Sequence, residues 1–332
     1  MIVAATDSKF LPAACCTILS TKHKSEEYFD VERVIFAVDV CDCDLEAASA
    51  FLSSHGIDVT VRSISSENLG LASFPTDDRI PGAAYIRILL DQFIDDSYDR
   101  VLYLDSDTRA YAAIENLFNT DLQGCAIAAA QDVYFYVPDQ LQTRNKLLGR
   151  PGDCEYFNSG VILFDWKKVK RDGLLEYTRQ FILNNPESCI SHDQDALNAI
   201  FGSNFKILDP RWNMIDYYYR YGGKMEPWIK HFTGTKPWNR KRPSIWADDA
   251  VWYKNILEAS PWPSFFETQS FSDRLGITYA EFRGVVRKYT GAFVGYAFGF
   301  ILESDVRKRV RMRPWLYREV PKKIDQWIKG LN

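Results

Sequence analysis

Four apolar residues lead into a pair of carboxylates in the segment Arg100-Val101-Leu102-Tyr103-Leu104-Asp105-Ser106-Asp107. The apolar run predicts a buried strand that ends at Asp105. Because side chains alternate along a strand, we expect both carboxylates on one side of its open end. A hard divalent cation can bind such a pair and keep coordination sites for phosphate oxygens. Asp-x-Asp is also typical of a solvated turn, so the metal hypothesis depends on the rest of the chain.

Outward from this segment, short apolar runs alternate with amphipathic segments over the first 235 residues. The pattern predicts an α/β sandwich with a largely parallel sheet. We expect strands at residues 2–6, 34–38, 58–64, 100–104, 126–130, 161–164, 205–208 and 228–232. We expect helices at residues 12–19, 83–93, 167–183 and 193–201. Several of these strands end in a polar residue, at the edge where open α/β sheets bind ligands.

Composition excludes several classes of protein. With 332 residues, 46% hydrophobic and 14% aromatic, the chain can bury a large core, which argues against disorder and against a small disulfide scaffold. The net charge of −4 argues against a general nucleic-acid partner. No glycine-rich dinucleotide or Walker loop follows the first strand.

The seven cysteines show no zinc-finger spacing, so we interpret them as buried reduced thiols of a cytosolic protein. Met1 runs directly into an apolar strand with no basic residues before it, which argues against a signal peptide. The uncharged stretch at residues 289–302 is shorter than the ~20 residues that span a bilayer. We therefore expect a cytoplasmic protein.

A second chemically dense segment, His231-Phe232-Thr233-Gly234-Thr235-Lys236-Pro237-Trp238, follows a predicted strand. An imidazole can complete a metal site, a glycine lets the backbone approach a diphosphate, and a lysine neutralises it. A lone histidine is more often structural. Because the chain has only 4 His and this one has phosphate-type neighbours, we interpret His231 as a metal ligand.

Two further polar segments adjoin predicted elements. Asn158-Ser159-Gly160 is expected to be a turn that leads into a strand, and Ser191-His192-Asp193-Gln194-Asp195 is expected to begin a helix. Ser191 with Gln194 fits a capping box, and the acids suit the positive end of a helix. Three successive polar side chains exceed what capping requires. We therefore expect this helix start to face a cleft and to present Asp193, Gln194 and Asp195 to a sugar.

These motifs occur in a fixed order along residues 1–238: Thr6-Asp7, Arg87, Tyr103-Leu104-Asp105-Ser106-Asp107, Phe157-Asn158-Ser159-Gly160-Val161-Ile162-Leu163, Asp193-Gln194-Asp195-Ala196-Leu197-Asn198 and His231-x-x-Gly234-x-Lys236-Pro237-Trp238. In this order they resemble family 8 glycosyltransferases. That family comprises retaining enzymes, among them bacterial lipopolysaccharide galactosyl- and glucosyltransferases and glycogenin. The resemblance implies a GT-A fold, a UDP-hexose donor and Mn²⁺ (or Mg²⁺).

The resemblance also implies roles for single residues. It makes Asp105, Asp107 and His231 the metal ligands. It implies that Asp7 and Phe10 bind the uridine and that Arg87 contacts the donor. It implies that Gly234 and Lys236 bind the diphosphate. Ser106, between the two acids, is also counted among the donor-binding residues. Sugar positioning and catalysis fall to Asp132, Asn158, Asp193, Gln194 and Asp195. Retention can proceed through a covalent glycosyl-enzyme or by attack on the same face, and the sequence leaves both open.

The leading hypothesis is a hexosyltransferase that moves galactose or glucose from a UDP-sugar to lipopolysaccharide or another glycan or lipid-linked acceptor. A metal-dependent sugar nucleotidyltransferase is a second enzyme hypothesis, since Asp-x-Asp also serves there, but the chain lacks a basic glycine-rich loop after the first strand. A sugar-nucleotide or glycan-binding module at a membrane, without turnover, is the third hypothesis.

The C-terminal region differs in charge from the rest of the chain. We expect a catalytic domain over residues 1–260 and a basic, aromatic helical tail over residues 261–332, which carries 13 Lys/Arg against 7 Asp/Glu. Cations beside aromatics suit the anionic inner face of a membrane. The alternative is a tail helix that packs on the catalytic domain with a solvated basic face.

Overall fold

The computed structural model describes residues 1–22, 29–75, 82–132, 138–221, 225–282 and 322. The chain divides into two compact units. The first unit comprises Met1–Met214 with Pro227–His231, and the second comprises Ile215–Glu226 with Phe232–Asn332. The predicted domain boundary at residue 260 remains a prediction.

The first unit contains a seven-stranded sheet with the order β3-β2-β1-β4-β7-β6-β8. Its strands are β1 (Ile2–Asp7), β2 (Arg33–Val38), β3 (Thr60–Ile64), β4 (Arg100–Asp105), β6 (Ile127–Gln131), β7 (Phe157–Asp165) and β8 (Lys206–Ile207). The pairs β3-β2, β2-β1, β1-β4 and β6-β8 are parallel, whereas β7 runs antiparallel to both of its neighbours. The predicted mainly parallel sheet is confirmed, with one reversed strand, β7, in its interior.

The central strands are buried on both faces, as their apolar sequences require. Along β1, Val3 and Ala5 face one hydrophobic cluster together with Phe36 and Tyr103. The alternate residues, such as Ile2 and Ala4, are buried on the opposite face. Because both faces of these strands are covered, a ligand can reach them at their carboxyl ends. The polar residues of the predicted site lie at these ends.

The helices are α1 (Leu11–Lys22), α2 (Asp42–Ser54), α3 (Ile114–Phe118), α4 (Pro138–Leu147), α5 (Trp166–Arg171), α6 (Leu174–Asn184) and α7 (His192–Phe201) in the first unit. The single helix predicted at residues 167–183 is wrong. Gly173 has a φ of 62°, a left-handed conformation that ends α5 and starts α6 in a new direction. The apolar period continues across this break, which is why the sequence pattern missed it.

Two other predicted elements also differ. The helix predicted at residues 83–93 consists of the 3₁₀ segments Gly82–Ile88 and Leu90–Gln92, in which residues 85–90 are all buried, unlike a one-sided amphipathic helix. The predicted polar turn at Asn158-Ser159-Gly160 lies inside β7 instead. These residues fit a buried strand because their polar groups are hydrogen-bonded there.

A short antiparallel pair also belongs to the first unit. The strands β5 (Thr108–Ala110) and β10 (Ile229–His231) pair so that His231 lies opposite Thr108. The elements that come shortly before β10 in the chain are the 3₁₀ segment Pro210–Asn213, β9 (Met214–Ile215) and, in the second unit, α8 (Asp216–Tyr221). This pairing brings the end of β10 next to the Asp105-Ser106-Asp107 segment.

The second unit has its own aromatic cluster, formed by Phe232, Trp238, Trp246, Tyr253 and Phe265. Neighbouring rings in the cluster have centroids 4.9 to 6.4 Å apart. It is built from the 3₁₀ segments Ser244–Trp246 and Pro263–Phe265 and from α9 (Ala247–Glu258), and a further helix, α10, covers residues 271–282.

The basic part of the predicted tail, residues 283–318, lies outside the described residues. Among the residues that are described, no helix is long and apolar enough to cross a membrane. The expectation of uniformly buried thiols is wrong. Cys15, Cys16 and Cys189 are buried, but Cys41 and Cys43 are exposed at the start of α2, and Cys125 and Cys154 are half-buried.

Candidate active site

The three predicted metal ligands lie close together. Asp105 ends β4, Asp107 follows it, and His231 ends β10. One ligand atom from each lies within 4.8 Å of the others. His231 Nε2 is 3.5 Å from Asp105 Oδ2 and 3.2 Å from Asp107 Oδ1. Two carboxylate oxygens and an imidazole nitrogen are a donor set that Mn²⁺ accepts readily, and one that Mg²⁺ accepts less well.

Gly160 leaves the space in which this triad assembles. A Cβ atom on Gly160 would lie 2.2 Å from His231 Cε1 and 2.8 Å from Asp105 Oδ2, both far inside van der Waals contact. Any side chain here would therefore push apart two of the three candidate ligands. The sequence pattern singled out Gly160 within a motif but gave it no role.

The imidazole of His231 is held in one tautomer. His231 Nδ1 is 2.9 Å from Asn213 Oδ1, and an amide oxygen only accepts hydrogen bonds, so Nδ1 carries the proton. Nε2 is then the imidazole nitrogen that faces the two carboxylates and is placed for metal ligation. Sequence reasoning missed Asn213, which is completely buried at the end of a 3₁₀ segment.

A second polar group gathers where β6 ends and β7 begins. Asn158 Nδ2 donates to Asp132 Oδ2 over 2.8 Å, and Gln194 Nε2 donates to the same oxygen over 3.1 Å. Gln194 Oε1 accepts from the backbone N–H of Ser159 over 3.0 Å. The structure therefore brings Asp132, Asn158 and Gln194 together in one hydrogen-bonded group.

The capping box proposed for this helix start is wrong. Ser191 makes no side-chain cap to α7, and His192 has a φ of 52° that turns the chain into the helix. The Gln194 side chain reaches β7 instead of closing back on its own helix. One turn later, Asn198 exchanges two hydrogen bonds with the backbone of Phe157, and these fix α7 on β7.

Arg87 joins two of the predicted site carboxylates. Its Nη2 lies 3.0 Å from Asp105 Oδ1, and its Nε lies 2.8 Å from Asp193 Oδ2. Burial alone would lower the pKa of the Arg87 guanidinium, but the two carboxylates outweigh it and the pKa is raised. Burial raises the pKa of Asp193 to about 6 despite the attraction of Arg87, because both groups are removed from water.

Asp195, two residues further along α7, has a different environment. Its carboxylate accepts from Arg144 Nη1 over 2.6 Å and from Tyr156 Oη over 2.7 Å, and it is 0% exposed. It also accepts from the backbone N–H of Ser191. Burial raises its pKa, although Arg144 acts against this. The structure thus places Asp193 beside the triad and Asp195 in the interior behind it.

The predicted donor-binding residues Asp7, Phe10 and Ser106 cluster at the ends of β1 and β4. Asp7 Oδ1 accepts from the backbone N–H of Phe10 over 2.9 Å, which shapes the turn between β1 and α1. Ser106 Oγ donates to the carbonyl oxygen of Ala5 over 2.6 Å. The side chain of Ser106 therefore ties the two strand ends together, and Phe10 keeps a partly exposed ring.

Gly234 and Lys236, predicted at the diphosphate, belong to the second unit. Lys236 Nζ donates to the carbonyl oxygen of Phe232, which folds the segment into a turn. A Cβ atom on Gly234 would lie 3.0 Å from Asp216 Oδ2, so a glycine suits this close approach.

Comparison with known proteins gives a consistent result. The model of glycosyl transferase family 8 matches residues 1–242. General stress protein A of Bacillus subtilis is 31% identical over 197 residues, which cover 54% of this chain and 67% of that protein. A lipopolysaccharide 1,2-glucosyltransferase of Escherichia coli K12 is 29% identical over 194 residues, which cover 54% of this chain and 55% of that protein. The chain thus spans little more than half the length of the second relative.

Among solved structures, galactosyltransferase LgtC in complex with donor and acceptor sugar analogues superposes with a TM-score of 0.68 at 21% identity. The superposition covers 79% of this chain and 96% of that one. The likeness confirms the predicted GT-A fold.

Proposed function

The chain belongs to glycosyl transferase family 8, and we propose that it transfers a hexosyl group, galactosyl or glucosyl, from a UDP-sugar to a glycan. The observation that carries this proposal is the Asp105, Asp107 and His231 triad at the carboxyl edge of the sheet. A triad of this composition suits a metal-bound diphosphate, because the diphosphate of the donor is anionic and takes up a further negative charge as its bond to the sugar breaks.

Mn²⁺ (or Mg²⁺), when bound by the triad, would neutralise the charge that develops on the departing UDP. Asp105 and Asp107 supply the hard oxygens, and His231 supplies a nitrogen through Nε2. Arg87 keeps Asp105 in place, since its buried guanidinium pairs with that carboxylate. Lys236 and Gly234 are proposed to contact the diphosphate from the loop after His231.

For the nucleoside end of the donor, we propose Asp7 and Phe10, with Ser106 fixing the strand ends that carry them. The Phe10 side chain is partly exposed, and an aromatic ring suits stacking against uracil. Asn158 is placed with Asp132 and is proposed to act on the sugar rather than on the nucleoside.

For the transferred sugar, we propose that Asp132, Asp193 and Gln194 orient the ring and that the product retains the α configuration. The Gln194 amide is a poor nucleophile, but its oxygen can face a positive charge that develops at the anomeric carbon. Asp195 is proposed to act through Arg144 and Tyr156, which hold the first turn of α7 in position. Gln194→Ala should therefore lower kcat more than it raises KM, because the lost contact matters mainly in the transition state.

The acceptor is proposed to be lipopolysaccharide or another lipid-linked glycan, with the enzyme in the cytoplasm at the inner face of the membrane. The name of the Escherichia coli relative and the excess of basic residues over residues 261–332 support this proposal. Full-length protein should then bind vesicles that contain anionic phospholipid at low salt and should leave neutral vesicles unbound. Absence of any difference between the two vesicles would contradict the membrane proposal alone.

The central test is incubation of the purified protein with a panel of UDP-sugars, with and without Mn²⁺, followed by detection of UDP. One UDP-hexose should be consumed, and EDTA should stop the reaction. Asp107→Ala should abolish turnover, whereas Asp96→Ala, which removes an exposed acid away from the site, should retain it. Full activity of Asp107→Ala in excess EDTA would overturn the metal assignment, and a β-linked product by NMR would overturn retention.

A further inference from the structure

Four buried side chains form an unbroken hydrogen-bonded chain from the sugar-positioning group to the metal triad. His231 Nδ1 donates to Asn213 Oδ1 over 2.9 Å, Asn213 Nδ2 donates to Asn158 Oδ1 over 2.8 Å, and Asn158 Nδ2 donates to Asp132 Oδ2 over 2.8 Å. In this relay every proton points from the histidine toward the aspartate.

Two fixed groups determine that direction. The carboxylate of Asp132 only accepts, so the amide nitrogen of Asn158 must face it. The backbone N–H of Gly160 only donates, and over 3.0 Å it requires the amide oxygen of Asn158. Reversal of the Asn158 amide would place oxygen against oxygen at one end and N–H against N–H at the other.

With Asn158 fixed, Asn213 has one acceptable orientation as well. Its nitrogen must face Asn158 Oδ1, so its oxygen must face His231. The imidazole then has to carry a proton on Nδ1, and Nε2 is the nitrogen that faces Asp105 and Asp107. Water cannot substitute in this chain because Asn213 is 0% exposed, and His231, Asp132 and Asn158 are 4%, 5% and 7% exposed.

We propose that Asn213 is a positioning residue that, through Asn158, lets Asp132 set the tautomer of His231 and so prepares Nε2 for the metal. The inference deepens the proposed function and rests on its assignment of His231 as a metal ligand. In other metal sites, loss of the group that holds a ligating histidine typically lowers metal affinity by about 10- to 100-fold. We expect an effect of that size from removal of the amide at position 213.

The first test needs no metal and no substitution in the relay. In full-length protein labelled with ¹⁵N histidine, two-bond ¹⁵N–¹H correlation spectra report the tautomer of each neutral imidazole. The signal of His231 is identified by its loss in His231→Gln. Wild type should show a proton on Nδ1 of His231, and a ring protonated on Nε2 alone would overturn the proposal whatever the enzyme transfers.

The second test changes the relay and also measures Mn²⁺ binding by electron paramagnetic resonance. Asn213→Leu should remove the Nδ1–H pattern and weaken Mn²⁺ binding by about 10- to 100-fold. If Asn213→Leu does not fold, Asn213→Ala takes its place, because it also removes the amide. An unchanged His231 spectrum together with wild-type Mn²⁺ affinity in the folded variant would overturn the proposal.

Asn145→Leu is the matched control. Asn145 is another fully buried amide, which donates to the carbonyl oxygens of Gly152 and Cys154 outside the site. It should cost similar stability and leave the His231 spectrum and Mn²⁺ affinity unchanged. An equal loss of Mn²⁺ affinity in both variants would overturn the specific role of Asn213. If wild type shows Nδ1–H but does not bind Mn²⁺, the metal assignment in the proposed function fails while the tautomer assignment stands.

Discussion

The polar site of the first unit and the aromatic cluster of the second are both buried, but they are held together in different ways. In the polar site, Asn213, Asn158 and Arg87 each make directional hydrogen bonds or ion pairs that fit only one orientation of the side chain. Replacing one donor or acceptor therefore changes the orientation that its bonded neighbour can adopt. In the aromatic cluster, Phe232, Trp238 and Tyr253 make mutual ring contacts at varied angles. Directional bonding makes the first region specific, and close packing makes the second stabilising.

The largest effect on stability should come from the aromatic cluster. Trp246 is fully buried, with its ring 5.0 Å from that of Phe232 and 5.2 Å from that of Tyr219. Trp246→Ala should lower the free energy of unfolding by about 3–5 kcal/mol, because it removes a large buried side chain and leaves a cavity. Urea unfolding followed by circular dichroism would measure this loss. If the free energy of unfolding fell by less than about 1 kcal/mol, the aromatic cluster would have repacked to fill the cavity. Close packing would then not distinguish this cluster from the polar site.

Gly160→Ala should have a large effect on function although it removes none of the three candidate metal ligands. The added methyl would collide with His231 and Asp105, so the triad could not close around a metal. Loss of the metal's electrostatic stabilisation should reduce the transfer rate by about 10²- to 10³-fold. Steady-state assays and Mn²⁺ titration would measure it. Wild-type Mn²⁺ affinity in Gly160→Ala would show that the two ligands can move apart at no cost.

The polar site should also make stability depend on pH. Since burial raises the pKa of Asp193 from its ordinary value of 3.8 to about 6, the native state holds this proton more tightly than the unfolded chain. The resulting stabilisation is fully present below about pH 3.8 and is lost as the pH rises through about 6, by about 1.4 kcal/mol for each unit of the raised pKa. Metal-free wild type should therefore lose stability relative to Asp193→Asn between pH 4 and pH 6. Parallel stability curves for the two proteins would contradict this.

The smallest effect should have the opposite sign. Gly276 lies in α10, at residues 271–282 of the second unit, and a Cβ atom there would have no neighbour within 4 Å. Gly276→Ala should raise stability by about 0.4–1 kcal/mol, because alanine loses less conformational freedom in a helix than glycine. A thermal melt would detect the increase. The same substitution at positions 160 and 276 thus separates a glycine that makes room for a site from one that does not.

The sequence predicted those site residues whose positions follow from the alternation of side chains along a strand and from the ends of strands. The sequence placed Asp105 and Asp107 on one side of a strand end. It also assigned His231 to the same metal site, because a glycine and a lysine suited to a diphosphate follow it. Asn213 could not be found, because an amide becomes informative only when both of its neighbours in space are known. The capping box of Ser191 and Gln194 failed for a related reason, since Gln194 finds stronger partners on β7 than on its own helix.

The pairing of β5 with β10 also concerns the time at which the site forms. Asp105 and Asp107 leave the ribosome well before His231, which lies 124 residues after Asp107 in the chain. At 5–20 residues per second, the delay is roughly 6 to 25 seconds. During this interval the parallel half of the sheet can fold, but the triad remains incomplete. A nascent chain therefore cannot acquire the proposed metal or donor at this triad until His231 has been synthesised and has paired with Thr108.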